Sequence, residues 1–236
     1  MHIVGLQKMT LLDFPGKVAC TVFLGGCNFR CPFCHNSQLL GADAQPYMTR
    51  SELLAFLQKR KGILDGVCIT GGEPTLQKDL GDLLRQIKSL GYPVKLDTNG
   101  YRPDVLKALV AAGLVDYVAM DVKNSPDRYS LTTDIDADLP RIEESIRFLL
   151  SDAVDYELRT TVAEPLHDRS SIEAMANWVA ELGSGQKARR FFLQPFVDRD
   201  TVPVAGLRTP SDEMLESYRN SLLCCAQSVT VRGKST

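Results

Sequence analysis

The chain has 236 residues, 44% of them hydrophobic and 24% charged, with 27 basic against 29 acidic side chains and a formal net charge of −2. This is an ordinary globular composition with enough apolar mass for a sizeable core. The near-neutral balance gives no case for a nucleic-acid backbone as the main partner. No apolar run approaches the ~18 residues needed to cross a membrane, and the opening "MHIVGLQKMTLLDFPGK" lacks the features of a signal peptide. The expected location is the cytoplasm, where thiols stay reduced. Seven cysteines, an odd number, then argue for metal binding or chemistry rather than a disulfide framework.

Short β-branched runs alternate with longer amphipathic ones along the chain. The first predicted strand, Ala19–Leu24, runs into "FLGGCNFRCPFCHN", which packs Cys27, Cys31 and Cys34 into eight residues and adds His35. A helix is predicted over Ser51–Arg60, then a strand over Gly66–Thr70 that ends in "GGEPT". In the next helix, Lys78–Leu90, Leu80, Leu83, Leu84, Ile87 and Leu90 repeat at helical spacing, and Gly91-Tyr-Pro93 supplies the stop. Strand Val94–Asp97 opens "DTNG". Pro103 and Gly113 bracket the following helix, Pro103–Ala112, as a helix start and stop should. Strand Tyr117–Val122 carries "DVKN", and helix Leu139–Ser151 comes next. Strand Tyr156–Val162 contains Arg159, helix Ser171–Leu182 carries Trp178 on an apolar face, and strand Phe191–Gln194 and helix Ser211–Ala226 complete the series.

Six strand–helix alternations imply a parallel sheet with right-handed crossovers and both faces covered. Six units fall short of the eight of a closed barrel. The expected architecture is α/β, an open partial (β/α)6 barrel forming a single domain over residues 1–236, with a flat doubly wound sheet as the alternative. In either, the site belongs at the C-terminal ends of the strands, where "GGCNFRC", "GGEPT", "DTNG" and "DVKN" all fall.

The cysteine cluster admits four readings. A structural zinc site wants four ligands, commonly in two separated pairs. Here His35 directly follows Cys34, Cys20 and Cys68 lie inside predicted strands, and Cys224-Cys225 ends a helix. Cys31-Pro-Phe-Cys34-His35 matches the haem-attachment pattern, but that attachment belongs outside the cytoplasm and leaves Cys27 unexplained. A thioredoxin-like pair leaves Cys27 and the preceding glycine pair unexplained as well. A [4Fe–4S] cluster usually takes four thiolates. Three on one loop leave one iron open to a substrate, and Gly25 and Gly26 let the backbone turn closely around the inorganic core.

Cys27-x3-Cys31-x2-Cys34, followed in order by "GGEP", "DTNG" and "DVK", resembles the radical S-adenosylmethionine (SAM) superfamily. The stretch "PGKVACTVFLGGCNFRCPFCHN" is similar to the activating enzymes of glycyl-radical enzymes, and most of all to the activating proteins of anaerobic ribonucleoside-triphosphate reductases. The resemblance implies one [4Fe–4S] cluster held by Cys27, Cys31 and Cys34, with SAM on the fourth iron. It implies reductive cleavage of SAM to methionine and a 5′-deoxyadenosyl radical, and hydrogen abstraction from a glycine of a partner enzyme. It also implies a flavodoxin- or ferredoxin-like electron donor, with neither nucleic acid nor membrane as partner.

Carried over residue by residue, Gly71, Gly72 and Glu73 meet the amino group of SAM. Asp97 and Thr98 hold SAM or a nearby monovalent cation, Asp121 helps bind that cation, and Lys123 contacts SAM. On residue chemistry alone, the glycine pair is a tight turn, Asn99-Gly100 is a turn pair, and Asp121 and Lys123 share one strand face as an ion pair. Arg159 in an apolar strand needs a partner, for which the SAM carboxylate and Asp121 are equal candidates. The histidine that many such activases place near the last strand is missing, and Gln194 is the candidate in its place. No additional ferredoxin-like cysteine set is inserted. The alternatives in function are a radical SAM enzyme acting on a small molecule such as a deazapurine precursor, and a non-catalytic metal-binding module.

Overall fold

The computed structural model describes residues 2–41 and 45–233. Among them, eight strands lie in one sheet in the order of the chain: β1 (Ile3–Thr10), β2 (Ala19–Leu24), β3 (Gly66–Gly71), β4 (Val94–Thr98), β5 (Tyr117–Asp121), β6 (Asp155–Val162), β7 (Phe191–Pro195) and β8 (Val229–Val231). The helices are α1 (Arg50–Lys59), α2 (Leu80–Ser89), α3 (Pro103–Ala111), α4 (Tyr129–Thr133), α5 (Leu139–Leu150), α6 (Arg169–Gly183) and α7 (Asp212–Leu222). Spatial order equal to chain order excludes the doubly wound alternative, whose order reverses at a switch point. With β1 and β8 at opposite ends of the order, the sheet is not closed. β2 to β7 are the six predicted strands of the open (β/α)6 series, each within a residue or so of its expected bounds.

The chain divides into two compact units. The first comprises Met1–Asn28, Asn36–Thr98 and Asp104–Ala119, and the second Phe29–His35, Asn99–Pro103 and Met120–Thr236. In the first, β1 runs antiparallel to β2, and β2, β3 and β4 are parallel. The β2–β3 register runs from Ala19 opposite Gly66 to Leu24 opposite Gly71, so the cysteine loop and the "GGEP" turn leave the sheet side by side. Val22, Leu24, Val67, Ile69 and Leu96 fill this core, and α2 adds the fully buried Leu83, Leu84 and Ile87. Burying each such side chain stabilises the fold by about 1.5–3 kcal/mol. Helix α1 starts at a reciprocal capping box, in which Glu52 N–H donates to Thr49 Oγ1 (3.2 Å) and Thr49 N–H to Glu52 Oε2 (2.7 Å).

In the second unit β6, β7 and β8 are parallel, with Leu158 opposite Phe191 and Phe191 opposite Val229. Ile142, Ile146 and Leu149 of α5 and Ile172, Met175 and Val179 of α6 are buried. Trp178 is in the core as its apolar neighbours imply, with its indole N–H donating to Glu143 at 3.1 Å. Asp168 caps α6 by accepting from Ser171 N–H at 2.9 Å.

Strands β1 and β8 and the short α4 have no counterpart among the predicted elements. β1 pairs on one side only and exposes Gln7, Lys8 and Met9, so its sequence carries no continuous apolar run. β8 is three residues long and α4 five, too short for either periodicity to register.

Candidate functional site

In the first unit, β2 ends at Leu24, and Gly25, Gly26 and Cys27 follow. Gly26 takes φ +87°, a left-handed turn suited to glycine. Its N–H donates to Leu39 C=O at 2.9 Å, and its own C=O accepts from Glu73 N–H at 2.8 Å. The carbonyl of Gly25 accepts from the Gln77 side-chain amide at 2.9 Å. The backbone ahead of Cys27 is thus pinned to the "GGEP" turn.

That pinning explains the glycine pair. A Cβ on Gly72 would fall 2.0 Å from the Gly26 carbonyl oxygen, and one on Gly71, at φ +124°, would fall 2.2 Å from Leu24 O. Neither contact can relax, because both partners are backbone. Gly71 and Gly72 are therefore required by the approach of β3 to the cysteine loop. The buried Glu73 carboxylate accepts from Thr75 N–H (3.1 Å), from the Thr75 hydroxyl and from Thr98 Oγ1 (2.8 Å). Three donors on one oxygen fix the Glu73 side chain and tie "GGEP" to the end of β4.

Asp97 on β4 accepts from Thr70 Oγ1 at 3.2 Å and forms a buried ion pair with Lys95 two residues earlier. Lys95 is not among the residues the motifs single out, although it has the same i, i+2 spacing from an acid as Lys123. Beyond β4, in the second unit, Asn99 Oδ1 accepts from Tyr101 N–H at 3.0 Å and Gly100 takes φ +76°. This half of "DTNG" is the turn that the Asn-Gly pair predicts.

Asp121, Lys123 and Arg159 come together in the second unit. Asp121 Oδ2 faces Lys123 Nζ at 2.9 Å and Oδ1 faces Arg159 Nε at 2.8 Å. Asp121 is one of the two partners open to Arg159, and the pair lies at hydrogen-bond distance. Burial opposes ionisation of Asp121, but the Arg159 and Lys123 charges outweigh it and hold its carboxyl well below the usual carboxylate range. The network continues through the fully buried Glu157, 3.9 Å from Arg159 and 2.6 Å from Arg232. Gln194 sits half-buried near the C-terminal end of β7, opposite Thr161 of β6.

The "CPFCH" segment belongs to this second unit. Cys34 N–H donates to Cys31 C=O at 3.0 Å, the Lys123 ammonium lies 6.0 Å from the Phe33 ring centroid, and His35 stacks on Phe196 and donates to Val197 C=O at 2.6 Å. Burial pushes the Cys31 thiol up, and the Lys123 charge works against that rise. His167 is a further residue that no sequence motif marks. Lys123 C=O can only accept, so His167 Nε2 carries the proton it shares with that carbonyl at 2.8 Å, leaving Nδ1 to accept from Ala163 N–H at 3.2 Å. Its ring also lies 6.1 Å from that of Phe33.

The donor set fits an iron–sulfur cluster. None of Cys27, Cys31 and Cys34 is held in a disulfide. Among the described residues no three His, Cys, Asp or Glu side chains converge as a single-ion site needs. Thiolates are the usual ligands of such a cluster, and the Lys123 charge offsets part of the rise that burial imposes on the Cys31 thiol. No helix among the described residues is long and apolar enough to cross a membrane.

The sequence profile of the radical SAM superfamily matches residues 21–177. Over 187 residues the chain is 35% identical to MJ1227 of Methanocaldococcus jannaschii, named as a candidate glycyl-radical enzyme activating enzyme, covering 76% of this chain and 75% of that protein. It is 32% identical over 170 residues to a GTP 3′,8-cyclase of Thermococcus kodakarensis, covering 67% of this chain and 51% of the cyclase. The fold matches a domain of pyruvate-formate lyase-activating enzyme from Bacteroides vulgatus with a TM-score of 0.58 at 22% identity, over 71% of this chain and 99% of that one. Three thiols followed in order by "GGEP", "DTNG" and "DVK", on an open sheet of this topology, place the chain in the radical SAM superfamily, among the glycyl-radical enzyme activating enzymes.

Proposed function

We propose that this protein cleaves SAM reductively and generates a glycyl radical on a partner enzyme, and that the partner is an anaerobic ribonucleoside-triphosphate reductase. The observation that carries the reading is Cys27-x3-Cys31-x2-Cys34 beginning three residues beyond the end of β2. These three cysteines would hold a [4Fe–4S] cluster. When bound, that cluster supplies the electron, received from a flavodoxin- or ferredoxin-like donor, that converts SAM to methionine and a 5′-deoxyadenosyl radical.

The chain's own residues bind and orient. Gly71, Gly72 and Glu73 offer backbone at the end of β3, Asp97 and Thr98 at the end of β4, and Asp121 and Lys123 at the end of β5. Arg159, placed on β6 beside Asp121, carries a planar guanidinium of the kind suited to a carboxylate and is the candidate for that of SAM. Gln194 is the candidate for the adenosine. The profile match spans parts of both compact units, which supports one radical SAM domain working as a whole. The oxygen-sensitive chemistry supports a cytoplasmic location.

A second reading, a small-molecule substrate, is favoured by the similarity to the GTP 3′,8-cyclase. The test is electron paramagnetic resonance of the anaerobically reconstituted, reduced protein with and without SAM, followed by incubation with the reductase. A cluster signal that changes shape with SAM, and a glycyl radical on the reductase, are expected. Cys31→Ala should abolish SAM cleavage. A cluster signal indifferent to SAM would overturn the radical SAM assignment, and SAM cleavage without radical transfer would overturn the partner.

A further inference from the structure

Lys95 is a lysine where the strand pattern calls for an aliphatic side chain. It lies on β4 between Val94 and Leu96, and only 1% of its surface is exposed. Burying an ammonium costs several kcal/mol, and a buried ion pair is weak as a stabilising device, since apolar replacements commonly serve as well. Stability alone does not account for it.

What Lys95 does is neutralise Asp97. Its ammonium contacts Asp97 Oδ1 and lies 3.9 Å from Cys68 Sγ, while Thr70 Oγ1 donates to Asp97 Oδ2 at 3.2 Å. The second acid of interest, Asp121, is neutralised within its own unit by Lys123 and Arg159. The family resemblance assigns Asp97 to SAM or a nearby monovalent cation, and Asp121 to that cation. A carboxylate that already faces a fixed positive charge gains little from an alkali ion, because the second charge is repelled by the first. An ammonium group carries the same single charge as potassium and is likewise satisfied by carboxylate and hydroxyl oxygens.

We propose that Lys95 is this protein's built-in cation: its ammonium takes the place beside Asp97 that a bound alkali-metal ion would otherwise take, so SAM binding needs no added monovalent cation. Lys95 is a positioning residue, acting on the cofactor through Asp97. The inference rests on the reading that the end of β4 belongs to the SAM site.

The experiment measures SAM affinity by equilibrium dialysis, and thermal unfolding of the cluster-free protein, with potassium, sodium, ammonium or tetramethylammonium as the sole monovalent cation at constant ionic strength. In the wild type both readouts should stay constant across the four salts, affinity within about twofold. A loss of affinity of about tenfold or more in tetramethylammonium would overturn the proposal. Lys95→Ala opens a cavity where the ammonium faced Asp97 Oδ1. Its unfolding midpoint and SAM affinity should fall in tetramethylammonium and be restored by potassium, ammonium or methylammonium, which fit where tetramethylammonium does not. Lys95→Met refills the space with an apolar chain and should show no such rescue. Equal effects of all salts on a folded Lys95→Ala would mean a merely structural lysine and refute the idea. Should that variant not fold, the wild-type salt series decides alone. Absence of SAM binding in every salt would instead defeat the underlying functional reading, which keeps the two failures distinguishable.

Discussion

His167 donates from Nε2 to the main-chain carbonyl of Lys123 at 2.8 Å, so the loop after β6 fixes the backbone at the residue that pairs with Asp121. The imidazole is neutral in this arrangement. Burial is the main cause that depresses its pKa below the ordinary 6.5; the hydrogen bonds to Lys123 and Ala163 partly offset it, Arg128 adds to the depression and Asp168 opposes it. Because the folded-state pKa is lowered, the unfolded chain binds more protons at acid pH. Stability is full above about 6.5 and is lost as pH falls from there toward the folded-state value. Unfolding midpoints in urea, taken from pH 8 to pH 5, should therefore fall more steeply for the wild type than for His167→Asn. Parallel profiles would show that His167 is not titrating in this window.

Arg159 holds the middle of a charge chain that is buried at its centre and half-exposed at its ends, with Asp121 at 2.8 Å, Glu157 at 3.9 Å and Arg232 joined to the far side of Glu157 at 2.6 Å. Arg159→Ala strips a partner from the fully buried Glu157 and from the half-buried Asp121. Removing one member of a buried pair typically costs about 3–5 kcal/mol, and that is the expected drop in unfolding free energy by urea titration. Arg159→Lys keeps the charge but loses the planar fork, so it should recover much of the stability and little of the SAM affinity. Full recovery of both would mean that only the charge matters.

Six of the eight strands are legible in the amino-acid sequence, because a parallel strand buried on both faces is a continuous apolar run, as in "VCIT" and "VAM". β1 escapes because an edge strand has no such run. The cysteine spacing is local and so readable, whereas the reason for Gly72 is the oxygen of Gly26, 46 positions away in the chain. His167 leaves no sequence signal, since its partners Lys123 and Phe33 are brought to it by the fold. Lys95 does carry one, because a lysine two residues before an aspartate on an apolar strand shares its face.

Thr98→Val tests how far Glu73 depends on the end of β4. The substitution is nearly isosteric, and it removes one of three donors to a buried carboxylate oxygen. Loss of a buried hydrogen bond to a charged group costs about 1.5–3 kcal/mol. The fall should appear in urea titration of the cluster-free protein. A change below about 0.5 kcal/mol would show that Glu73 keeps its place without Thr98.

Gly72→Ala should uncouple the two halves of the cluster loop's support. The added Cβ would sit 2.0 Å from Gly26 O and 3.2 Å from Cys27 Cβ, so the backbone that carries Cys27 must move. The expected result is a loss of at least about 2 kcal/mol of stability, in the range of overpacking into backbone, together with reduced iron content after anaerobic reconstitution. Gly81→Ala is the matched control. Gly81 lies in α2, and its added Cβ would meet only Leu109 Cδ2 at 3.7 Å, an ordinary contact. A helical glycine replaced by alanine gains about 0.5–1 kcal/mol, so this variant should unfold at higher urea with full iron content. Equal iron content in the two variants would show that the Cys27 loop does not depend on the close approach of Gly72.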